Sequence, residues 1–539
     1  MDVSAWRGQT LTLEVDKLPE DSTALSAIEN SDTIKGGEDL YREPLRGQFH
    51  FSARRGWNND PNGLAFFNGE YHLFFQHNPY GWGWGNMHWG HAVSRDLVHW
   101  RELGDVLLPD ELGPMFSGSA VVDWQNTSGL GQPGQPPLVL IYTAAGNPTV
   151  QCIASSTDGR TFTKYPGNPV LGQITGGNRD PKVIWHAPTR RWVMVLYVTL
   201  PQDKHTVHFF TSPNLRDWTL ASITEGIPGS NYLYECPDFF ELPVDGNAAH
   251  TKWVLSAANS EYAIGTFDGT TFRPEHNRLP GHRGRGFYAA QTYSDIPPAD
   301  GRRILIGWFQ TETRGMPFNQ SMTIPLELQL TATGEGPRLT FTPVRELDGL
   351  RTRSRVFASQ TLTPGTPNPL AGVQAELVEL RAEFEPGEAR EIPLHRARCD
   401  HCLRHSEPGV GGEPASRPGS APRRPSRPHD LLRPDRAPGV RQRWAHLRAH
   451  AVPRACGRPG LGRRGPRRPG PAHLLADPRV ALRLVQQLTH EPNPVENAVR
   501  HTGCLTGSMC PGGLALTDEQ ARHNPERPGD TGRQTFVCS

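Results

Sequence analysis

Between about Gln48 and Leu330 the chain reads as short apolar runs, YHLFFQ, PLVLIYTA, RWVMVLYV, KWVLSAA and RRILIGWF, each bounded by Gly, Pro, Asn or Asp. Runs of this length, rich in Val, Ile, Tyr, Phe and Trp and separated by turn formers, predict strands. The 3.6-residue period of an amphipathic helix is almost absent, so the expected class is all-β. A shorter pattern recurs inside this stretch: SRDLVHW ends at Trp100, STDGRTF at Phe162, SPNLRDW at Trp218 and FDGTTF at Phe272. The steps are 62, 56 and 54 residues. A turn, a polar pair and a closing aromatic at that spacing suit four-stranded propeller blades, for which about 40–50 residues is usual. Turn-plus-aromatic text also recurs by chance in β proteins, and the regular spacing is what favours the blade reading.

The flanks differ. Residues 1–44 begin DVSAWRGQTLTLEVD, where Leu11, Leu13 and Val15 alternate as in a strand before a polar connector. They are expected to be a β remnant that either pairs with the propeller of residues 45–343 or belongs to a longer amino-terminal module. A linker and one more alternating run, LVELRAEFEPG, follow in residues 344–394 and predict the first strand of a second β domain.

Charge separates the two ends of the chain. The formal net charge is +1, but residues 391–539 hold 24 Arg, no Lys and 13 acids, a balance of +11, against −10 for residues 1–390. All 11 Tyr lie at or before Tyr293 and the last Lys is Lys252. The first part therefore has the aromatic content of a β-rich globular protein, whereas the second has too few large apolar residues to bury a core. Cys152 and Cys236 are the only cysteines before residue 390, which excludes a disulfide scaffold there. No window has the apolar length of a membrane span, and Met1-Asp2-Val3-Ser4 lacks the features of a signal peptide, so a cytosolic chain without a membrane partner is the default.

Three acidic motifs stand at expected strand ends: WNNDPNG with Asp60, GGNRDPKV with Asp180 and NYLYECPDFF with Glu235. Innermost strands of a propeller converge on its axis, so carboxylates from three blades can meet there. That set suits cleavage of a glycosidic bond: one carboxylate attacks the sugar carbon, and one carboxylic acid protonates the leaving oxygen at roughly 5–5.5 Å from the first in a retaining enzyme. Crowding and burial against Tyr232, Tyr234 and Phe239 are expected to raise the pKa of the acid. Singly, each motif also has a plainer reading, since Asp before Pro forms turns and Arg179 beside Asp180 reads as a surface pair.

These motifs, in this order, resemble the three signatures of the invertase, inulinase and levanase family, glycoside hydrolase family thirty-two. The runs HLFFQHNPYGWGWGNMHWGHAVSRDLVHW, MFSGSAVVDW, GFYAAQTYSD and GWFQTET resemble it too, over about residues 38–345. The resemblance implies a five-bladed β-propeller that releases terminal β-D-fructofuranosyl units from levan, inulin or sucrose, without a cofactor. It implies Asp60 as nucleophile, Glu235 as acid and base, and Asp180, oriented by Arg179, as the holder of two ring hydroxyls. Asn59, Gln76, Trp84, Phe116, Ser117 and Trp308 match positions that line the pocket for the terminal fructose. Cys236 reads as a packing or pKa-tuning neighbour rather than a nucleophile. Of the tryptophans in GWGWGNMHWG, Trp82 and Trp84 are candidates to stack on sugar, and Trp89 is expected in the core. His88 and His91 have no third ligand at metal spacing, so no metal is expected. A fructosyltransferase with the same triad, and a sugar-binding propeller impaired by loss of its second domain, are the alternatives.

The family continues into a carboxy-terminal β-sandwich, and this chain does not. After Leu394 the text, HRARCDHCLRHSEPGVGGEPASRPGSAPRRPSRP, has no strand alternation. Cys399 and Cys402 with His401 and His405 could form a zinc knuckle, the Arg-rich run could bind nucleic acid, or residues 395–539 could be an out-of-frame, largely disordered tail. Reading residues 433–453 as degenerate codons and shifting by one nucleotide permits DRTVLQVFGNDGRTYVPMRF, which alternates like a strand around an Asn-Asp-Gly turn and resembles a late strand of the family's sandwich. The expectation is therefore a frame change between about Arg390 and Arg398, with no zinc and no nucleic-acid partner; a continuous open frame in the resequenced gene would remove it. Met1 is then also a candidate internal start, and because relatives with this lead-in are usually exported, the location stays open.

Overall fold

The computed structural model describes residues 31–33, 36–226, 232–282, 285–311, 313–361, 363, 366–373 and 377–385, together with the backbone of four further strands. The chain divides into two compact units, Glu43–Glu491 and a second made of Met1–Arg42 with Pro492–Ser539. In the smaller unit Thr10–Val15 pairs antiparallel with Gly532–Val537. The expectations for the tail, the frame change included, lie outside the described residues except for the backbone of Gly532–Val537, Ala445–Leu447 and Arg479–Gln486. The last two join Val378–Glu385 in a small sheet of the larger unit.

The larger unit contains a ring of five antiparallel blades. In chain order the strands are Gly56–Phe67, Glu70–Asn78, His88–Ser94 and Trp100–Leu107 in blade I; Met115–Val122, Leu138–Ala144, Val150–Ser156 and Thr163–Lys164 in blade II; Asn178–His186, Arg191–Leu200, Lys204–Ser212 and Thr219–Glu225 in blade III; Asp238–Val244, Asn247–Ser256, Tyr262–Phe267 and Phe272–Pro274 in blade IV; and Phe287–Thr292, Arg303–Phe309, Leu326–Thr331 and Arg338–Pro343 in blade V. A parallel bridge between Val244, at the end of the innermost strand of blade IV, and Leu330, in the third strand of blade V, joins those two blades. The ring is closed from its far end, where Phe318–Asn319 adds parallel to Gly56–Trp57 of blade I.

The second strands of blades II and III are apolar at nearly every position because neighbouring blades cover both of their faces. Successive side chains point to opposite faces of a strand. Leu138, Leu140 and Tyr142 accordingly pack with Phe74 and Trp89 of blade I, whereas Val139 and Ile141 pack with Val183 and Met194 of blade III. Val193 and Val195 in turn meet Phe239 and Leu255 of blade IV. Outer strands lose this cover, and Thr219–Glu225 is largely exposed.

The recurring sequence pattern is the turn between third and fourth strands of blades I to IV. Asp96, Asp158, Asn214 and Asp268 each turn Oδ1 back to accept the backbone N–H groups two and three residues on, at 2.7–3.1 Å. The residue after each is left-handed: Leu97, Gly159, Leu215 and Gly269, with φ of 65°, 67°, 64° and 97°. Such side-chain turns replace a backbone hydrogen bond with a local one and fix the hairpin.

Polar side chains tie the innermost strands together along the axis. Lys182 of blade III pairs with Asp238 of blade IV at 2.9 Å and donates to the Thr292 carbonyl of blade V at 2.8 Å. Asp238 also accepts from the Thr292 N–H. Both charges are buried, and burial pulls the Lys182 ammonium down in pKa while Asp238 opposes the shift. Removing one member strands the other charge, so Lys182→Met is expected to cost about 3–5 kcal/mol. Urea unfolding should read that loss, and a second change, Asp238→Asn, should recover part of it by removing the orphaned charge.

Candidate active site

The three motif carboxylates come from three blades and line one pocket at the axis. Asp60 sits in the innermost strand of blade I and Asp180 in that of blade III, while Glu235 precedes the innermost strand of blade IV. Asn59, Gln76, Trp84, Phe116, Ser117, Arg179 and Trp308 line the same pocket, and so does Tyr288.

A regular strand would not aim these groups together. The pairing slips between Asn58 and Pro61, between Phe116 and Gly118, between Arg179 and Lys182 and between Tyr288 and Gln291. The innermost strands of blades I, II, III and V are thus bulged where they pass the pocket, and a bulge re-aims a side chain. Asp180, Glu235, Cys236 and Ala289 have φ of 64°, 39°, 42° and 49°, a conformation costly for residues with a Cβ and held only by the surrounding structure.

Each carboxylate has its own hydrogen-bond set. Ser117 Oγ donates to Asp60 Oδ2 at 2.7 Å. The Cys236 backbone N–H donates to Asp180 Oδ2 at 3.0 Å, and Cys236 Sγ lies 3.5 Å from that oxygen and 3.6 Å from Asp60 Oδ2. Glu235 is gripped from both sides: Arg179 Nη2 and Nε donate to Oε2 at 2.7 and 3.2 Å, and Tyr288 Oη donates to Oε1 at 2.6 Å. The Arg179 guanidinium is also 3.7 Å from Asp180. Asn59 Oδ1 is buried without a hydrogen-bond partner, an acceptor open to a ligand hydroxyl.

Burial and like charge act on the two aspartates. Burial, with Asp180 and Glu235 adding repulsion, pushes the Asp60 carboxyl from 3.8 up to about 7 against the lowering bonds from Ser117 and Cys236. Burial raises Asp180 to about 6, with Glu235 adding to the rise and Arg179 opposing it. Burial and the three carboxylates push the Cys236 thiol far up, which keeps it a weak donor rather than a nucleophile.

The remaining candidates separate. Trp89 is fully buried, as expected, and its Nε1 donates to the Phe116 carbonyl at 3.0 Å. Trp84 stands 67% exposed at the pocket. Trp82 does not line the pocket; its Nε1 is bound to the carbonyls of Met316 and Phe318 at 3.0 and 3.1 Å. His91 stacks on Phe74 at 4.2 Å, with its Nε2 3.0 Å from His72 Nδ1, and burial lowers both imidazoles, His72 to about 4. Tyr288, in the run GFYAAQTYSD, is a pocket residue that the sequence motifs do not single out.

Fold and site together define a propeller with an acidic axial pocket. The model for the glycosyl hydrolases family 32 N-terminal domain matches residues 50–343, and the chain belongs to that family. It is 45% identical over 376 residues to a levanase of Bacillus subtilis, an alignment covering 65% of this chain and 55% of that protein. Among solved structures, an exo-inulinase from Aspergillus awamori superimposes with a TM-score of 0.55 at 33% identity, covering 65% of this chain and 77% of that one. A fructofuranosidase from Schwanniomyces occidentalis complexed with fructosylnystose gives 0.55 at 30% identity, covering 67% and 73%. The chain thus spans about half the length of the levanase it matches.

Proposed function

We propose that the protein is a retaining glycosidase that releases terminal β-D-fructofuranosyl units from fructans such as levan or inulin, or from sucrose. The observation that carries this reading is the axial pocket, in which Asp60, Asp180 and Glu235 from three blades line one cavity in a chain of this family. The similarity to a levanase and an exo-inulinase supports the substrate class.

The chemistry of this reading is double displacement. Asp60 attacks the anomeric carbon as the bond to the leaving oxygen breaks, and Glu235 gives its proton to that oxygen. Water then attacks the fructosyl ester, Glu235 takes its proton, and Asp60 leaves as the carboxylate. Ser117 aims the attacking oxygen, and Arg179 and Tyr288 fix the Glu235 carboxyl between them. Asp180, held by the Cys236 N–H, is placed to bind ring hydroxyls as positive charge develops in the sugar. Asn59, Gln76, Trp84, Phe116 and Trp308 would enclose the terminal fructose.

Sugar release from sucrose, inulin and levan tests the reading. The first fructose to appear should be the β-anomer; first-formed α-fructose would overturn double displacement. Lengthened products at high sucrose would instead mark a fructosyltransferase, and binding without release a sugar-binding propeller. Asp60 must be ionised to attack and its pKa is raised. kcat/KM should therefore fall with decreasing pH along a limb displaced from 3.8 toward 7, and a limb at the ordinary carboxyl value would contradict a raised Asp60 pKa acting through the nucleophile.

A further inference from the structure

The residues proposed to enclose the terminal fructose leave one aromatic neighbour of Glu235 without a role. Tyr234, the residue before Glu235, is 39% exposed and does not line the pocket. Three side chains hold its ring. Tyr197, buried in the second strand of blade III, meets it edge-on at 5.5 Å, and the His205 ring of the third strand lies at 4.9 Å. The Arg179 guanidinium, which grips Glu235, also donates to the Tyr234 hydroxyl at 3.4 Å and stands 5.7 Å from its ring centre.

The leaving oxygen has to come within hydrogen-bond reach of Glu235. The sugar unit expelled with it therefore departs past the residues around that carboxyl and outside the pocket for the retained fructose. A half-exposed aromatic ring held rigid at that place offers an apolar face to sugar C–H groups at little cost in side-chain entropy. We propose that Tyr234 is the platform on which the leaving sugar, glucosyl or fructosyl, stacks, and that it sets the preference among leaving groups. This rests on the glycosidase reading above.

The test uses the full chain with Tyr234→Ala, Tyr234→Phe and Tyr234→Trp. Tyr234→Ala should lower kcat/KM for sucrose and for fructose trisaccharides by about tenfold, chiefly through KM. It should also lower the ratio of transfer to hydrolysis at high sucrose, because an acceptor sugar occupies the place of the leaving one. Inhibition by free fructose, which fills the pocket, should stay unchanged. Tyr234→Phe should lose no more than about twofold, and Tyr234→Trp should keep or tighten KM. The platform is overturned if Tyr234→Ala stays within twofold on every glycoside, if Tyr234→Phe is as impaired as Tyr234→Ala, or if the fructose inhibition constant rises in step. Absence of hydrolysis by the unaltered protein would instead count against the glycosidase reading itself.

Discussion

Asp60→Asn will abolish turnover and make the protein harder to unfold. An amide cannot form the fructosyl ester, and removal of a nucleophile costs on the order of 10⁴–10⁶ in kcat. The stability gain follows from linkage. The folded carboxyl holds its proton from 3.8 up to about 7, whereas the unfolded one titrates near the lower value. Ionised Asp60 therefore costs no stability below pH 3.8, and its cost grows as pH rises and is complete above about 7. A displacement of that size corresponds to about 4 kcal/mol at most. Loss of the charge-assisted bonds from Ser117 and Cys236 offsets part of it, leaving about 1–3 kcal/mol. Thermal unfolding of Asp60→Asn should then show a midpoint a few degrees above the parent at pH 8 and no gain at pH 4. An equal gain at both pH values would show that the effect is not the carboxyl's charge.

Glu235→Gln will lower kcat on fructans and sucrose by about 10³–10⁴, the upper range for a lost general acid and base. KM should change little, because Gln keeps the shape and can still meet Arg179 and Tyr288. The loss depends on how much the leaving group needs a proton. A fructosyl substrate with a leaving group that departs as an anion should form the ester at near-parental rate and then stall, because no base is left to activate water. Mass spectrometry of the quenched enzyme should find one fructosyl unit on the peptide holding Asp60. An adduct on any other residue, or equal losses with good and poor leaving groups, would contradict the division of roles.

Much of this site could be read from the chain because its parts carry type-specific residues in short motifs. Asp60, Asp180 and Glu235 each sit beside Pro or Cys-Pro, and the turns with Asp96, Asp158, Asn214 and Asp268 recur because blades I to IV use the same corner. The fifth corner was invisible for a physical reason. Blade V turns between its third and fourth strands through Thr333 and Gly336, which bond to each other's backbone without an Asx side chain. Tyr288 was missed because Phe-Tyr-Ala-Ala reads as plain strand. Only the bulge between Tyr288 and Gln291 and the left-handed Ala289 bring its hydroxyl to Glu235, and no residue type announces a left-handed Ala. Trp82 ties down the 316–318 segment through its indole N–H while its ring stays 38% exposed, an anchoring role that its position in the sequence does not announce.

The closure of the ring has a consequence during synthesis. Blade I is completed by Phe318–Asn319 against Gly56–Trp57, and its innermost strand also exchanges hydrogen bonds with Ser294 through Leu64 and Phe66. The partners of Gly56 thus leave the ribosome about 260 residues after it, a delay of roughly 15–50 s at ordinary elongation rates. Throughout that interval the nascent first blade presents Leu73, Phe75 and the open edge at Gly56 with their final neighbours not yet made. Chaperone binding to arrested chains should therefore be strong for chains stopped before residue 319 has cleared the exit tunnel and weak for those stopped beyond it.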